Sequence, residues 1–434
     1  MKKIFLLFTL LSVPFFAQEK ITAEEAIKIG LKNNFDIQIA KNNQEIAENN
    51  AGLGTSGFLP KLDATGNYNL GSTKTETNSP FSFGDTDTRS YGAKLSLNWT
   101  LFDGFRMFVN KSKYDDLAKL GEFQARNTIE SSVVGILRAY FNLVAQQKLL
   151  EISKISLEVS ELRYNKTKVR EEMGAVSTTD LLNAQVAYNS DKSNLISQEL
   201  TVEIARKDLL LALGLEQSKQ IKVDDDINTT STLYNYEDLK SRVFQQNSTL
   251  LSAQQSLLVS EADQSLATSN YYPVLSLNSG YGYTDSKTAR SNNPTDINSK
   301  TTDATIGLTL SFNLFNGLRD DIARQNAIIG VKNSEFQLNK TQNQVEGLLN
   351  EKFLTYNKRI EKLKIEQENI NAAKQNLELQ RDKLETGTAN SLEFRDAQLN
   401  YVRAENSLIN AKLQFKIAEY ELKQLTGDIP VSGK

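Results

Sequence analysis

The sequence predicts an α+β membrane protein in which one unit, used twice in tandem, supplies β-hairpins to a barrel and long helices to a coiled coil. Three observations carry this reading. The chain repeats itself in one register, its strand-like stretches alternate with period two beside matched prolines, and its last helix in each half carries a heptad seam.

The register is 213 residues. Glu24 recurs as Glu237, Asn34 as Asn247, Pro60 as Pro273 and Tyr68 as Tyr281. The string LFDGFR (101–106) recurs as LFNGLR (314–319). Gly174 recurs as Gly387, Ala184, Gln185 and Tyr188 as Ala397, Gln398 and Tyr401, and Gly214 as Gly427. Chance does not hold one register over such a span without a gap. The expected organisation is a leader (1–17), a first repeat (18–214), a connector (215–234), a second repeat (235–427) and a short tail (428–434).

Each repeat reads in one order. A helix is expected from about residue 22 to 58, and from 235 to 271 in the copy, ended by Pro60 and Pro273, since the residue before proline leaves the helical region. A strand follows, with Leu62, Ala64, Tyr68 and Leu70 on one face and Asp63, Thr65, Asn67 and Asn69 on the other. After a polar loop (71–90) comes a second strand, Leu95, Leu97, Trp99 and Leu101 against Lys94, Ser96, Asn98 and Thr100. Its copy runs through Ile306, Leu308, Leu310, Phe312 and Leu314. Past Gly104, and Gly317 in the copy, a helix is expected to continue to about residue 172, roughly 100 Å at 1.5 Å per residue. No globular core is that long, so such a helix must have partners along its length. A turn at Gly174 leads into a helix ending near Leu213.

The returning helix shows what the partners are. Phe394, Tyr401, Leu408, Phe415 and Leu422 recur every seventh residue, with Ala397, Ala404, Ala411, Ala418 and Leu425 three positions later. The first repeat keeps the large stripe as Leu181, Tyr188, Leu195, Val202 and Leu209. A seven-residue period implies a left-handed supercoil, and alanine lets helices approach closely. The six prolines all lie outside the stretches read as helix, where each would cost about 3 kcal/mol.

Composition excludes much. Residues 1–17 read as a secretory signal peptide: Lys2 and Lys3, an apolar run from Ile4 to Phe16, and Ala17 at the cut. Beyond it no stretch is apolar enough for a transmembrane helix, so a membrane role would have to use a β-barrel. The chain has no cysteine and no histidine, which removes disulfides, thiolate chemistry, the commonest general base and the commonest metal ligand. No enzyme activity, cofactor or metal is expected. The net charge is −3, which gives no reason to expect nucleic acid. Gly52, Gly54 and Gly57 match a dinucleotide fingerprint but end a helix instead of following a strand. Asp224, Asp225 and Asp226 read as a solvated linker, with no spaced ligand loop around them.

Two repeats give four strands of about 10–13 residues, long enough to cross a bilayer when tilted. A closed barrel needs eight or more, and lipid tolerates no open edge. One chain therefore cannot close a barrel; two would supply eight strands and three would supply twelve. The apolar faces are expected against lipid and the Ser/Thr/Asn faces against water. Aromatics gather where helix meets strand (Phe58, Trp99, Phe102, Phe105, Tyr271, Tyr272, Phe312 and Phe315), as an interfacial girdle would. A competing reading of the heptads is a coiled-coil fibre without a lumen, which would need neither amphipathic hairpins nor matched proline stops.

This order of signal peptide, proline-terminated helix, hairpin, "LF(D/N)G" motif, long helix and glycine tip, given twice, resembles the TolC-like outer-membrane efflux proteins across almost the whole chain. The resemblance implies a homotrimer, a twelve-stranded barrel and a helical periplasmic tunnel. It also implies docking to a periplasmic adaptor and an inner-membrane pump, with the duct itself passive. The tips are the expected docking points: Gly174 and Gly387 as left-handed caps, Ser177 and Asn390 as helix starts. Asp180 and Glu393 stand three residues after those starts, in capping-box position. Glu393 and Asp396 share a helix face, and in a trimer these three acids are expected to form rings at the periplasmic constriction. Pro60, Pro273, Gly104 and Gly317 mark the helix-to-barrel junctions. The positions matching the family's closing tyrosine and arginine hold Leu384 and Ala389, a departure from its pattern.

Overall fold

The structure, a computed structural model, describes residues 20–78, 84–224, 227–291, 293–386 and 391–429. In chain order the elements are β1 (Lys20–Ile21), α1 (Ala23–Asn33), α2 (Phe35–Asn50), α3 (Leu53–Ser56), β2 (Lys61–Thr73), β3 (Thr86–Asp103), α4 (Arg106–Glu172) and α5 (Thr178–Leu213). Then follow β4 (Lys222–Val223), α6 (Tyr236–Gln246), α7 (Ser248–Ser269), β5 (Val274–Arg290), β6 (Asn293–Ser311), α8 (Arg319–Glu385) and α9 (Ser391–Leu425). The expected signal peptide lies outside the described residues, as do Asp225, Asp226, Pro80 and Pro430.

The long helices fall where the sequence puts them; α4 and α8 are each 67 residues. The helix expected from 22 to 58 is instead three pieces. Asn34 takes an extended backbone (φ −63°, ψ 127°) and caps on both sides. Its Oδ1 accepts from the Ile37 amide (3.1 Å), starting α2, and its Nδ2 donates to the Ala212 carbonyl (2.8 Å) near the end of α5. Asn247 separates α6 from α7 in the same way and donates to the Leu425 carbonyl (3.1 Å) at the end of α9. Both breaks trade one turn of helix for side-chain bonds to carbonyls that a helix terminus leaves unpaired. Nor do the prolines end these helices. Gly57 and Ser269 come first, and Pro60 and Pro273 directly precede the first residues of β2 and β5.

The chain divides into two compact units, each drawing on both repeats. The first comprises residues to 41, 125–247 and from 344 onward. Its core joins α1, the later part of α4, α5 and α9, with Leu137, Leu143, Leu209 and Leu213 fully buried. The connector does more than link. Its β4 pairs in parallel with β1, and Ile221, Val223 and Ile227 enter that core. Tyr140 donates to the Ile21 carbonyl (3.0 Å) and Tyr356 to the Thr232 carbonyl (2.9 Å), so one buried phenol holds β1 and the other holds the connector. In α9 the heptad seam is buried at Leu408, Phe415 and Leu422, with Ala397, Ala411 and Ala418 beside them. Each large member contributes about 1.5–3 kcal/mol of burial.

The second unit comprises residues 42–124 and 248–343. Its centre is a four-stranded antiparallel sheet in the order β2-β3-β5-β6. The strands run to 13, 18, 17 and 19 residues, longer than expected, because polar residues of the presumed loops continue the ladder. β6 stops at Ser311, short of the expected Leu314, where its partner β5 begins at Val274. Proline at 273 has no N–H to extend the ladder.

Candidate functional site

At the first tip, α4 ends in paired bonds from the Gly174 amide to the Glu171 carbonyl and from the Ala175 amide to the Arg170 carbonyl, both 2.8 Å. This is the paired closure of a Schellman cap. Ser177 then starts α5 with a full capping box. Its Oγ accepts from the Asp180 amide (3.2 Å), and the Asp180 carboxylate accepts from the Ser177 amide (3.2 Å) and hydroxyl (2.7 Å). Those bonds to Ser177 hold the Asp180 carboxyl below its ordinary pKa, helped by the charges of Arg163 and Arg170. Asp180 is therefore a charged, exposed carboxylate whose first duty is the cap. At the second tip Gly387, Ala389 and Asn390 lie outside the described residues; Glu393 and Asp396 are exposed on the first turns of α9.

The structure also brings together a group that the sequence reading passed over. Arg395 of α9 grips Asp191 of α5 through two bonds, Nη1 to Oδ2 (3.0 Å) and Nη2 to Oδ1 (3.1 Å), and its Nη1 also reaches Gln398 Oε1 (3.1 Å). The two side chains are 13 % and 8 % exposed, so this is a buried ion pair joining two helices. Arg163 stands nearby on α4; burial first, then the Arg395 charge, pull its pKa down, while Asp180 opposes them. A signal for this existed. Asp191 occupies the small-residue position of the first heptad seam, in step with Ala184 and Ala205, where the other repeat has Ala404. A charge at such a position requires a partner. Gln198, one heptad on, likewise donates to the Gln146 carbonyl (3.0 Å).

In the sheet unit, each junction turns through two successive left-handed residues, Gly104-Phe105 (φ 70° and 68°) and Gly317-Leu318 (φ 71° and 65°). The non-glycine member of each pair is strained, a cost that persists where surroundings or function require it. The pairs differ in one respect. A Cβ on Gly104 would lie 2.6 Å from the Ser269 carbonyl oxygen, but one on Gly317 would meet nothing within 4 Å. Of the expected aromatics, Phe58, Phe102, Phe105 and Tyr272 converge at the first junction, joined by Phe108, while Phe312 and Phe315 are exposed. Phe102, Phe105, Tyr272, Phe58 and Phe108 form a chain of ring contacts with centroids 5.1–6.4 Å apart, and Trp99 donates to the Phe58 carbonyl (2.9 Å).

The register sorts the sheet into two faces. Leu62, Leu95, Leu277 and Leu308 lie on one, exposed in the single chain; Leu308 is 66 % exposed. Tyrosines 68, 91, 281 and 283 border the other end of that apolar band, and Tyr91 donates to Asp285 (2.9 Å). This second aromatic border was not read from the sequence. The opposite face is Ser, Thr, Asn and Gly with few charges. Among the described residues no helix is long and apolar enough to cross a membrane, and no group of acids, histidines or cysteines is placed to hold a metal.

A hairpin sheet with an uncovered apolar face, joined to helices of such length, defines an outer-membrane protein of the channel class. Comparison with known proteins agrees. The model of the family described as "Outer membrane efflux protein" matches residues 26–215 and again 239–428. The chain is 23 % identical over 375 residues to the outer membrane protein TolC of Vibrio cholerae serotype O1, covering 86 % of this chain and 83 % of that one. It is 20 % identical over 381 residues to TolC of Escherichia coli K12, covering 86 % and 76 %. The crystal structure of the CmeC outer membrane channel of Campylobacter jejuni superposes with a TM-score of 0.76 at 17 % identity, over 93 % of this chain and 85 % of that one. The chain belongs to the outer membrane efflux protein family, and its place is the outer membrane.

Proposed function

We propose that three copies assemble head to tail into a passive exit duct, with a twelve-stranded barrel in the outer membrane and a helical tunnel in the periplasm. The observation that carries this is the sheet. Its outer strands β2 and β6 are unpaired on their far sides among the described residues, and its apolar face is uncovered. Lipid tolerates the face but not the edges. A fibre without a lumen has no use for such a sheet. The duplication of 18–214 as 235–427 is supported by the two family matches, whose bounds differ by the same 213 residues, and by the twin bonds of Asn34 and Asn247.

The pseudo-repeat fixes how copies meet. Leu95 of β3 faces Tyr281 of β5, so the same pairing between chains sets Leu308 opposite Tyr68 of the next copy. The empty space at Gly317 would be filled likewise by the neighbour's Ser56 and Leu59, which correspond to Ser269 and Tyr272. Because the chain has no cysteine, Leu308→Cys with Tyr68→Cys is an unambiguous test. Oxidation should yield disulfide-linked species up to a trimer on a non-reducing gel, whereas pairing Leu308→Cys with Leu62→Cys should yield little. Monomers alone from the first pair would defeat the assembly.

In this duct Asp180, Glu393 and Asp396 ring the periplasmic end, and the Arg395–Asp191 pair holds α9 against α5 in the closed state. The tip turns at Gly174, Ser177, Gly387 and Asn390 meet the adaptor, and an inner-membrane pump supplies the energy. Replacing Glu393 and Asp396 together by alanine should reduce cation preference in single-channel recordings; unchanged selectivity would remove the ring from the account.

A further inference from the structure

The polar face of the sheet carries its charge unevenly. Lys61 and Asp63 pair with each other at 3.0 Å at the start of β2, and Arg290 ends β5. Between them β3 offers Thr88, Ser90, Ser96 and Asn98, and one charged residue, Lys94. The pairing register puts Lys94 opposite Gly282, and Gly282 opposite Asp303 of β6. Lysine and aspartate thus stand two strands apart in a single row with a glycine between them.

The glycines matter to how these side chains lie. A Cβ on Gly282 would sit 2.8 Å from Asp303 Oδ1, and one on Gly280 would sit 3.3 Å from Lys94 Cε. Both chains therefore lean over the bare floor of β5 from opposite sides. Among the described residues no ion pair joins them to each other or to a third group. Two exposed opposite charges converging over two glycines of one strand, on an otherwise nearly neutral wall, present a contact for each sign of ionic solute.

We propose that Lys94 and Asp303 form a second, mixed-charge selectivity band inside the barrel, distinct from the acidic tip, where Lys94 meets anionic groups of a passing solute and Asp303 meets cationic ones. This rests on the duct reading above. Three-fold repetition would place three lysines and three aspartates within a narrow belt, offset only by the tilt of the strands. Rings of charged side chains set which ions enter a pore, and a belt of both signs moderates the bias imposed by an all-acidic constriction.

The test uses the full chain in planar bilayers, with reversal potentials measured across a potassium chloride gradient. Lys94→Gln should raise the potassium-over-chloride permeability ratio roughly two-fold, and Asp303→Asn should lower it by a similar factor. The charge swap Lys94→Asp with Asp303→Lys should return the ratio to near that of the unaltered protein, which a merely structural role would not predict. Heat-modifiable trimers on a gel confirm assembly of each variant. Should Lys94→Gln not assemble, Lys94→Ser, which matches Ser90 and Ser96 of the same face, is read in its place. A conducting parent whose ratio none of these variants moves would overturn this band alone. A parent that does not conduct would overturn the duct and the band together.

Discussion

Replacing Arg395 by alanine should raise single-channel conductance and lower the melting temperature together. The substitution leaves Asp191, 8 % exposed, without the two bonds that compensate its charge. Breaking a buried ion pair on one side costs about 3–5 kcal/mol, whereas replacing both partners by apolar residues of fitting shape is often neutral. That asymmetry separates gating from stability. Asp191→Ala with Arg395→Leu installs at each site the residue found 213 positions away, Ala404 and Leu182. The double variant should recover most of the melting temperature and keep the high conductance, because nothing then ties α9 to α5 at this point. A double variant with both properties of the parent would show that the pair holds no gate.

Gly214→Ala should abolish folded protein. Gly214 closes α5 with φ 68°, its amide bonding the Leu211 carbonyl (3.0 Å) while the Leu215 amide bonds the Leu210 carbonyl (2.9 Å). An alanine there pays about 1–2 kcal/mol for the left-handed backbone. Its Cβ would also lie 2.3 Å from the Asn33 carbonyl oxygen and 2.7 Å from its carbon. Both obstacles are main chain, which cannot rotate aside as a side chain would, and Asn33 is held by the Asn34 contact to Ala212. Gly174→Ala is the control. It has the same backbone (φ 71°) but nothing within 4 Å of the new methyl, so it should cost only the conformational strain. Expression of folded trimers, read by heat-modifiable mobility, distinguishes the two. Equal yields from both variants would mean that the close approach at Asn33 relaxes freely.

What the sequence makes legible here is whatever has a period. The helices 106–172 and 319–385, the alternation around Leu95–Trp99 and the seam through Phe415 all announce themselves by repetition. What it conceals depends on single residues or on absent patterns. Asn34 breaks a helix because one amide side chain caps in two directions, and nothing in the surrounding apolar spacing changes there. The outer parts of β5 and β6 are mostly polar on both faces, so Ser286–Arg290 pairs with Asn293–Ser299 as strand without any alternation to reveal it. β1 and β4 are two residues each, below any pattern. The Arg395–Asp191 contact lies between these cases: the acid at a seam position was visible, but its partner, 204 residues away, was not.

The unequal corners at Gly104 and Gly317 bear on how the protein matures. The first is seated on its own chain as soon as that chain folds, while the second keeps the same left-handed backbone with open space where the first meets Ser269. Under head-to-tail assembly the first corner forms at a rate independent of how much protein is present. The second waits for an encounter, so its completion should accelerate with concentration and stall when newly exported molecules are scarce.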